Sequence, residues 1–271
     1  MNSTTSSAAF DTLTAPTTSR AWRWAAAAAV VGNIALNYVS QALPFNGQNN
    51  AVVSGKYPTP VTPAGYAFSI WGVIFLSLLA YAGWQLLPAQ RAARLPDAVA
   101  RPLVLANVLT GGWLVVFAYE LMPLSAAVMV GILAALAVVY GRVRQLARQG
   151  EAPAWVNVPF GLYLGWISVA LVVNLTVALG TRWLVSEARG GELAIVLVGV
   201  VAGLALNVTR NFRELAYPAA VTWGLVGIWA ARRATADTQL LAGMALAAAG
   251  LVAVGAVVLV WWGRRGDGVR R

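Results

Sequence analysis

Apolar residues in this chain come in eight long blocks, separated by short stretches that are polar, rich in proline and glycine, or basic. A hydrocarbon core about 30 Å thick requires about 20 helical residues at a rise of 1.5 Å each, and the blocks approach that length. They cover residues 22–43, 64–87, 102–119, 124–140, 156–179, 193–208, 215–231 and 240–262. We therefore predict an all-α fold, a polytopic transmembrane bundle of about eight helices.

The basic residues support this count. Lysine and arginine accumulate on the cytoplasmic side of membrane proteins. With eight spans and an inner N-terminus, 14 of the 19 basic residues fall in inner segments. The five outer ones are Lys56, Arg182, Arg189, Arg232 and Arg233. We expect an integral protein of the cell (inner) membrane with both termini cytoplasmic and the lipid bilayer as partner.

Composition narrows the chemistry further. The chain has no cysteine and no histidine, which excludes disulfides, thiolate nucleophiles and imidazole metal ligands. No aspartate, glutamate, lysine or arginine lies in the middle of an apolar block, which argues against ion-driven transport. The arginines are spread over loop ends, so lipid headgroups explain the net charge of +10 better than a nucleic acid does. We predict no metal site, no catalytic residue and no required cofactor.

Four segments are expected along the chain. Residues 1–19 are rich in serine, threonine and alanine and are predicted to be a disordered cytoplasmic tail. Residues 20–180 would form a five-helix membrane domain, and residues 190–263 a three-helix extension beyond the glycine-containing stretch at 180–191. Residues 264–271 would be a basic cytoplasmic tail. The outer loop 44–63 carries several prolines and is either a lid over the bundle or a spacer.

Several aromatic and amide side chains lie deep within the blocks. Trp166, Ala170 and Asn174 are spaced by four residues, which places them on one helical face. Trp71 lies about 10 Å below the outer end of its block, and Asn107 lies early in the third block. Such amides either bind a ligand or join two helices by hydrogen bonds. The acids at block ends, Glu120 and Glu214 among them, are interpreted as solvated helix-end charges.

Taken together these positions resemble the TspO/MBR family, the tryptophan-rich sensory proteins related to the mitochondrial translocator protein. The resemblance rests on Thr62-Pro63, Phe68, Trp71, Asn107, Trp166, Ala170 and Asn174. It implies a five-helix bundle over residues 22–180, with a pocket beneath the first loop for porphyrins and other flat apolar ligands. The implied contacts are Trp71, Trp166, Ala170 and Asn174, followed by Tyr66, Phe68 and Asn107. The three further helices have no counterpart in that five-helix pattern, which makes this chain a longer relative.

The function expected from these features is that of a membrane receptor or sensor for a tetrapyrrole or another flat hydrophobic small molecule. Three alternatives stay open at this point. The chain would otherwise be a transporter of a neutral or hydrophobic solute without ion coupling, a weak porphyrin-degrading enzyme, or a structural membrane protein without a small-molecule ligand. The oligomeric state is also open, and a homo-oligomer is compatible with the sequence.

Overall fold

The computed structural model of the chain describes residues 20–181 and 187–268. The tail predicted at 1–19, the centre of the stretch 180–191, and residues 269–271 lie outside the described residues. Within these two ranges the regular elements are all helices, joined by short 3-10 turns. The α-helices are α1 (Arg20–Ala42), α2 (Asn50–Lys56), α3 (Ile70–Leu86), α4 (Arg94–Ala118), α5 (Met122–Arg148), α6 (Asn157–Thr181), α7 (Glu187–Phe212), α8 (Ala216–Arg232) and α9 (Gln239–Gly268).

The predicted all-α membrane bundle is confirmed, and each of the eight apolar blocks corresponds to one long helix. In the described part, six stretches are long and apolar enough to cross a membrane: Gly65–Leu86, Arg94–Ala118, Met122–Arg148, Ala154–Gly180, Gly190–Phe212 and Ala236–Gly263. The other two long helices are α8, which has only 17 residues, and α1, which carries arginine and asparagine side chains. Both pack along spanning helices, α1 against α4 and α8 against α6 and α9.

Several helices are longer than their apolar blocks. Helix α4 begins at Arg94, eight residues before the predicted start at 102, and α5 continues to Arg148. Hydropathy marks only the part of a helix that lies in hydrocarbon, whereas backbone hydrogen bonds continue through polar turns outside it. On this extension of α5, Arg144 and Arg148 donate hydrogen bonds to carbonyls in the last turn of α7. The charged ends therefore cap neighbouring helices.

The connections alternate between the two ends of the bundle, as the pattern of blocks requires. At one end, the loop 44–63 contacts both the α4–α5 turn, through Lys56 and Glu120, and the end of α8, through Arg232. At the opposite end, Arg23 pairs with Asp97 at 2.6 Å. Which of these ends faces the cytoplasm stays a prediction.

Helix α6 lies at the centre of the bundle and crosses α8 at very short range. A Cβ atom built on Gly165 would lie 2.5 Å from the carbonyl oxygen of Tyr217 and 2.9 Å from the Cβ of Ala220. One turn earlier, a Cβ on Gly161 would lie 2.8 Å from that of Ala216. Small residues at intervals of four on both helices allow this approach, a common packing mode in membranes. The glycines of α6 therefore determine where α8 sits.

The acid at the start of α8 corrects one expectation. Glu214 is only 9% exposed, so the prediction of a solvated helix-end charge is wrong for this residue. Its carboxylate accepts hydrogen bonds from the Tyr140 hydroxyl at 2.6 Å and from the backbone N–H groups of Ala216 and Tyr217 at 2.7 and 2.9 Å. These N–H groups have no partner within the helix, and a negative charge is favourable at a helix N-terminus. Glu214 thus caps α8.

Candidate ligand-binding cavity

A cavity of about 620 Å³ lies inside the bundle beneath the loop 44–63. Its walls come from α1, α3, α4, α5 and α6, its cover from α2 and the chain that follows it, and one further residue from α8. Small-molecule sites in proteins typically measure about 300–1,000 Å³ and combine an apolar lining with a few polar groups. The volume of this cavity falls within that range, and its lining is mainly apolar with a few polar side chains.

Five of the seven predicted contact residues line this cavity, namely Phe68, Trp71, Trp166, Ala170 and Asn174. The four-residue spacing on α6 has the predicted effect, since all three of its members lie on the cavity side of that helix. Trp166 is 2% exposed, and Phe68 packs edge-on against it with ring centroids 5.6 Å apart. Trp71 packs in the same way on Tyr163, also at 5.6 Å.

The other two predicted residues lie outside the lining. Asn107 is buried between α1 and α4, where its Oδ1 accepts a hydrogen bond from Asn33 Nδ2 at 2.9 Å and its Nδ2 donates to the Leu103 carbonyl. These bonds join helices, which is the alternative that the sequence left open for deep amides. Tyr66 is 48% exposed and packs edge-on against Trp223 of α8.

Asn174 joins two helices and also lines the cavity. It lines the cavity and is buried, and its Oδ1 accepts a hydrogen bond from Ser125 Oγ of α5 at 2.9 Å. Within the described part of the chain its Nδ2 makes no hydrogen bond. The amide therefore joins α5 to α6 with its oxygen and keeps two N–H donors for a partner at the cavity.

The contacts predicted from the sequence did not include the face that α4 presents to the cavity, although the depth of Trp113 in its block had indicated that it faces protein or ligand. Thr110, Trp113 and Phe117 line it, and the Trp113 and Phe117 rings stack at 4.8 Å with an angle of 18° between their planes. Their spacing of three and four residues is a helical-face signal and could have identified them. In contrast, Arg232 carried no such signal, because only the fold brings the end of α8 to the cavity.

One edge of the cover is held by Glu120, which adopts a φ of +57° just after α4. Its carboxylate accepts hydrogen bonds from Lys56 Nζ at 2.7 Å, Tyr57 Oη at 2.5 Å and Gln48 Nε2 at 2.8 Å. These bonds, that of Lys56 first, lower the pKa of Glu120 to about 2. The bond to Glu120 also raises the pKa of Tyr57. Glu120 is thus a partly exposed helix-end charge, as predicted, and also the anchor of α2.

The other edge of the cover is held by α8. Arg232 donates hydrogen bonds to the carbonyls of Thr59 and Pro60 at 2.6 and 3.0 Å. Further down α8, Trp223 Nε1 donates to the Ala67 carbonyl at 2.8 Å, and the Gly227 carbonyl accepts from the backbone of Ala64 at 2.9 Å. The polypeptide that leads into α3 therefore rests on a helix that sequence analysis had left without a function.

Comparison with known proteins agrees with this architecture. The model of a family described as TSPO-like protein matches residues 23–258, a range that includes α7, α8 and most of α9, the helices predicted as an extension. No match was found among curated proteins or among solved structures. The match covers well over half of the chain, and the matched range includes the helical bundle and the loop 44–63. The chain therefore belongs to the TspO/MBR family of membrane proteins.

Proposed function

We propose that the protein is a membrane receptor or sensor that binds a flat hydrophobic small molecule of the porphyrin type in the cavity beneath the loop 44–63. The observation that carries this proposal is the partly open cavity of about 620 Å³, whose mainly apolar lining includes seven aromatic side chains. Its aromatic members are Tyr38, Phe68, Trp71, Phe75, Trp113, Phe117 and Trp166.

The aromatic side chains of the lining favour a planar ligand. Aromatic rings gain from stacked or edge-on contacts with another ring system, each such pair contributing about 0.5–1.5 kcal/mol beyond burial. Trp71 and Phe68 contact other rings edge-on or tilted, and Ala170 presents a small side chain one turn from Trp166. A bulky residue at that position would occupy the space of a flat ligand. The donors of Asn174 would fix the orientation of a polar edge of the ligand.

Binding without turnover is the function that these residue types support best. Among the described residues that line the cavity, the ionisable side chains are Tyr38 and Arg232. General acid–base catalysis needs a positioned acid or base with a suitable pKa, and nucleophilic catalysis needs an activated nucleophile. The described lining offers neither a positioned acid–base pair nor an activated nucleophile, and it offers seven aromatic side chains for contact.

The test fills the cavity in steps at Ala170. Purified protein in lipid nanodiscs is titrated with protoporphyrin IX, and binding is followed by the porphyrin absorbance band. Ala170→Ser should bind like wild type, Ala170→Leu more weakly, and Ala170→Phe most weakly, because each step removes more of the space beside Trp166.

The matched control is Leu175→Phe, a substitution on the same helix at a side chain that is 38% exposed. It should leave affinity unchanged. Thermal unfolding of each variant separates loss of the pocket from loss of the fold. Absence of saturable binding to wild type, or equal affinity of the Ala170→Phe and Leu175→Phe variants, would rule out the proposal.

A further inference from the structure

Arg232 gives the cavity a property that aromatic residues cannot supply. It is the last residue of α8, and its half-buried side chain reaches the loop end of the cavity. Aspartate and glutamate are absent from the described lining, and the charged side chain among these lining residues is the cation Arg232. The apolar walls lie deeper, along α3, α4 and α6. The site therefore combines an apolar body with one cationic end.

The guanidinium retains donors for a further partner. It has five N–H groups in a planar fork, and two of them are used by the carbonyls of Thr59 and Pro60. In the described part of the chain, its partners are these neutral carbonyls, and the three ion pairs found there do not include it. Lys56, a cation of the loop 44–63, already pairs with Glu120 at 2.7 Å. Arg232 is thus the cation at the cavity that lacks an acidic partner in this part of the chain.

A half-buried guanidinium gains most from an anionic oxygen group, because a charge-assisted hydrogen bond is about twice as strong as a neutral one and a carboxylate matches its fork. We propose that Arg232 recognises a carboxylate on the edge of the bound molecule, so that the ligand class is a flat hydrophobic acid whose charged edge lies beneath the loop 44–63. This inference rests on the proposed function, since it specifies the ligand of the same cavity.

The experiment compares an acid with its neutral ester. Protoporphyrin IX and its dimethyl ester share the same ring and differ in the charge of two side groups. Affinities are measured in phosphatidylcholine nanodiscs for wild type, Arg232→Gln and Arg233→Gln. Arg233 is the matched control because it is adjacent, exposed, and stacked over the Trp229 ring at 4.7 Å instead of lining the cavity.

We expect wild type and Arg233→Gln to bind the acid more tightly than the ester. Arg232→Gln should weaken binding of the acid on the order of 10- to 100-fold, as expected for a hydrogen bond to a charged group, and weaken binding of the ester far less. Added salt should weaken binding of the acid to wild type more than to Arg232→Gln. A purely structural role of Arg232 in holding the loop would instead weaken acid and ester alike, and that result would overturn the inference.

A second arm identifies the source of the anion. An anionic lipid headgroup offers the same chemistry as a ligand carboxylate, so the titrations are repeated with phosphatidylglycerol in the nanodiscs. The preference of wild type for the acid should persist, and its disappearance would assign Arg232 to the lipid instead. Equal binding of acid and ester by wild type would refute the carboxylate contact and leave the proposed function standing. Failure of wild type to bind either compound would refute the proposed function itself.

Discussion

Replacing Gly165 by alanine is expected to push α8 away from α6 and so to loosen the cover of the cavity. The added Cβ would lie 2.5 Å from the Tyr217 carbonyl oxygen and 2.9 Å from the Cβ of Ala220. These distances are about 1 Å short of van der Waals contact. Neither opposing atom can rotate away, because one belongs to the backbone and the other is a Cβ. Helix α8 must therefore move.

The size of the effect follows from known costs of overpacking. An extra methyl group in a close-packed site costs about 1–3 kcal/mol. For chains of this size class, each kcal/mol lowers the melting temperature by about 2–4 °C, so a fall of roughly 2 to 12 °C is expected. The displaced helix carries Trp223 and Arg232, which hold the polypeptide from Thr59 to Ala67. Proteolysis within the loop 44–63 should therefore become faster.

The control is a glycine of a long helix that has room for a side chain. A Cβ on Gly203 of α7 would meet nothing within 4 Å. Alanine favours helix over glycine by up to about 1 kcal/mol, so Gly203→Ala should melt at the same temperature as wild type or higher. Thermal unfolding in detergent and limited proteolysis measure both variants. If Gly165→Ala melts like Gly203→Ala and its loop is cut no faster than that of wild type, the α6–α8 contact does not have the role assigned here.

Further predictions concern the anchors of the loop and the amides of the bundle. Glu120→Gln removes the acidic partner of Lys56 and should speed hydrogen exchange in α2. The control Glu151→Gln breaks the ion pair with Arg94 at the opposite end of the bundle and should leave exchange in α2 unchanged. Equal exchange rates in the two variants would contradict the role of Glu120 as the anchor of α2. Because the pKa of Glu120 is lowered from 4.5 to about 2, its contribution to the stability of the loop is fully present above about pH 4.5 and is lost as the pH falls through about 2. A transition in the hydrogen-exchange protection of the loop between pH 5 and 8 would contradict this. A double-mutant cycle of Asn33→Leu and Asn107→Leu should give a coupling free energy of about 0.6 kcal/mol, and up to about 1.7; additive effects on thermal stability would show that the 2.9 Å bond contributes nothing.

The sequence was sufficient for those features that depend on local spacing and hydropathy. The eight blocks identify the eight long helices, and the interval of four residues places Trp166, Ala170 and Asn174 on one side of α6. Helix ends were predicted too short, because hydropathy does not register polar turns such as those of α5 that reach Arg148. Sequence spacing and hydropathy therefore predict the helices and the face on which a residue of a given helix lies.

Features that arise from packing between helices could not be predicted from the sequence. Asn107 had the depth expected of a ligand contact, yet its amide bonds Asn33 and the Leu103 carbonyl, and spacing alone cannot tell these outcomes apart. The contact between Arg232 and the loop joins residues more than 170 positions apart, and it depends on the close crossing at Gly165. Burial of Glu214 likewise follows from the position of Tyr140 on another helix.

The central claim is that the cavity beneath the loop 44–63 is the binding site of a flat hydrophobic molecule. The most direct measurement is an experimental structure of the protein in lipid nanodiscs with protoporphyrin IX at a saturating concentration. We predict one planar ligand between Trp71 and Trp166, with an edge toward Arg232. An empty cavity, with ligand only on the lipid-facing surface or absent, would contradict the claim.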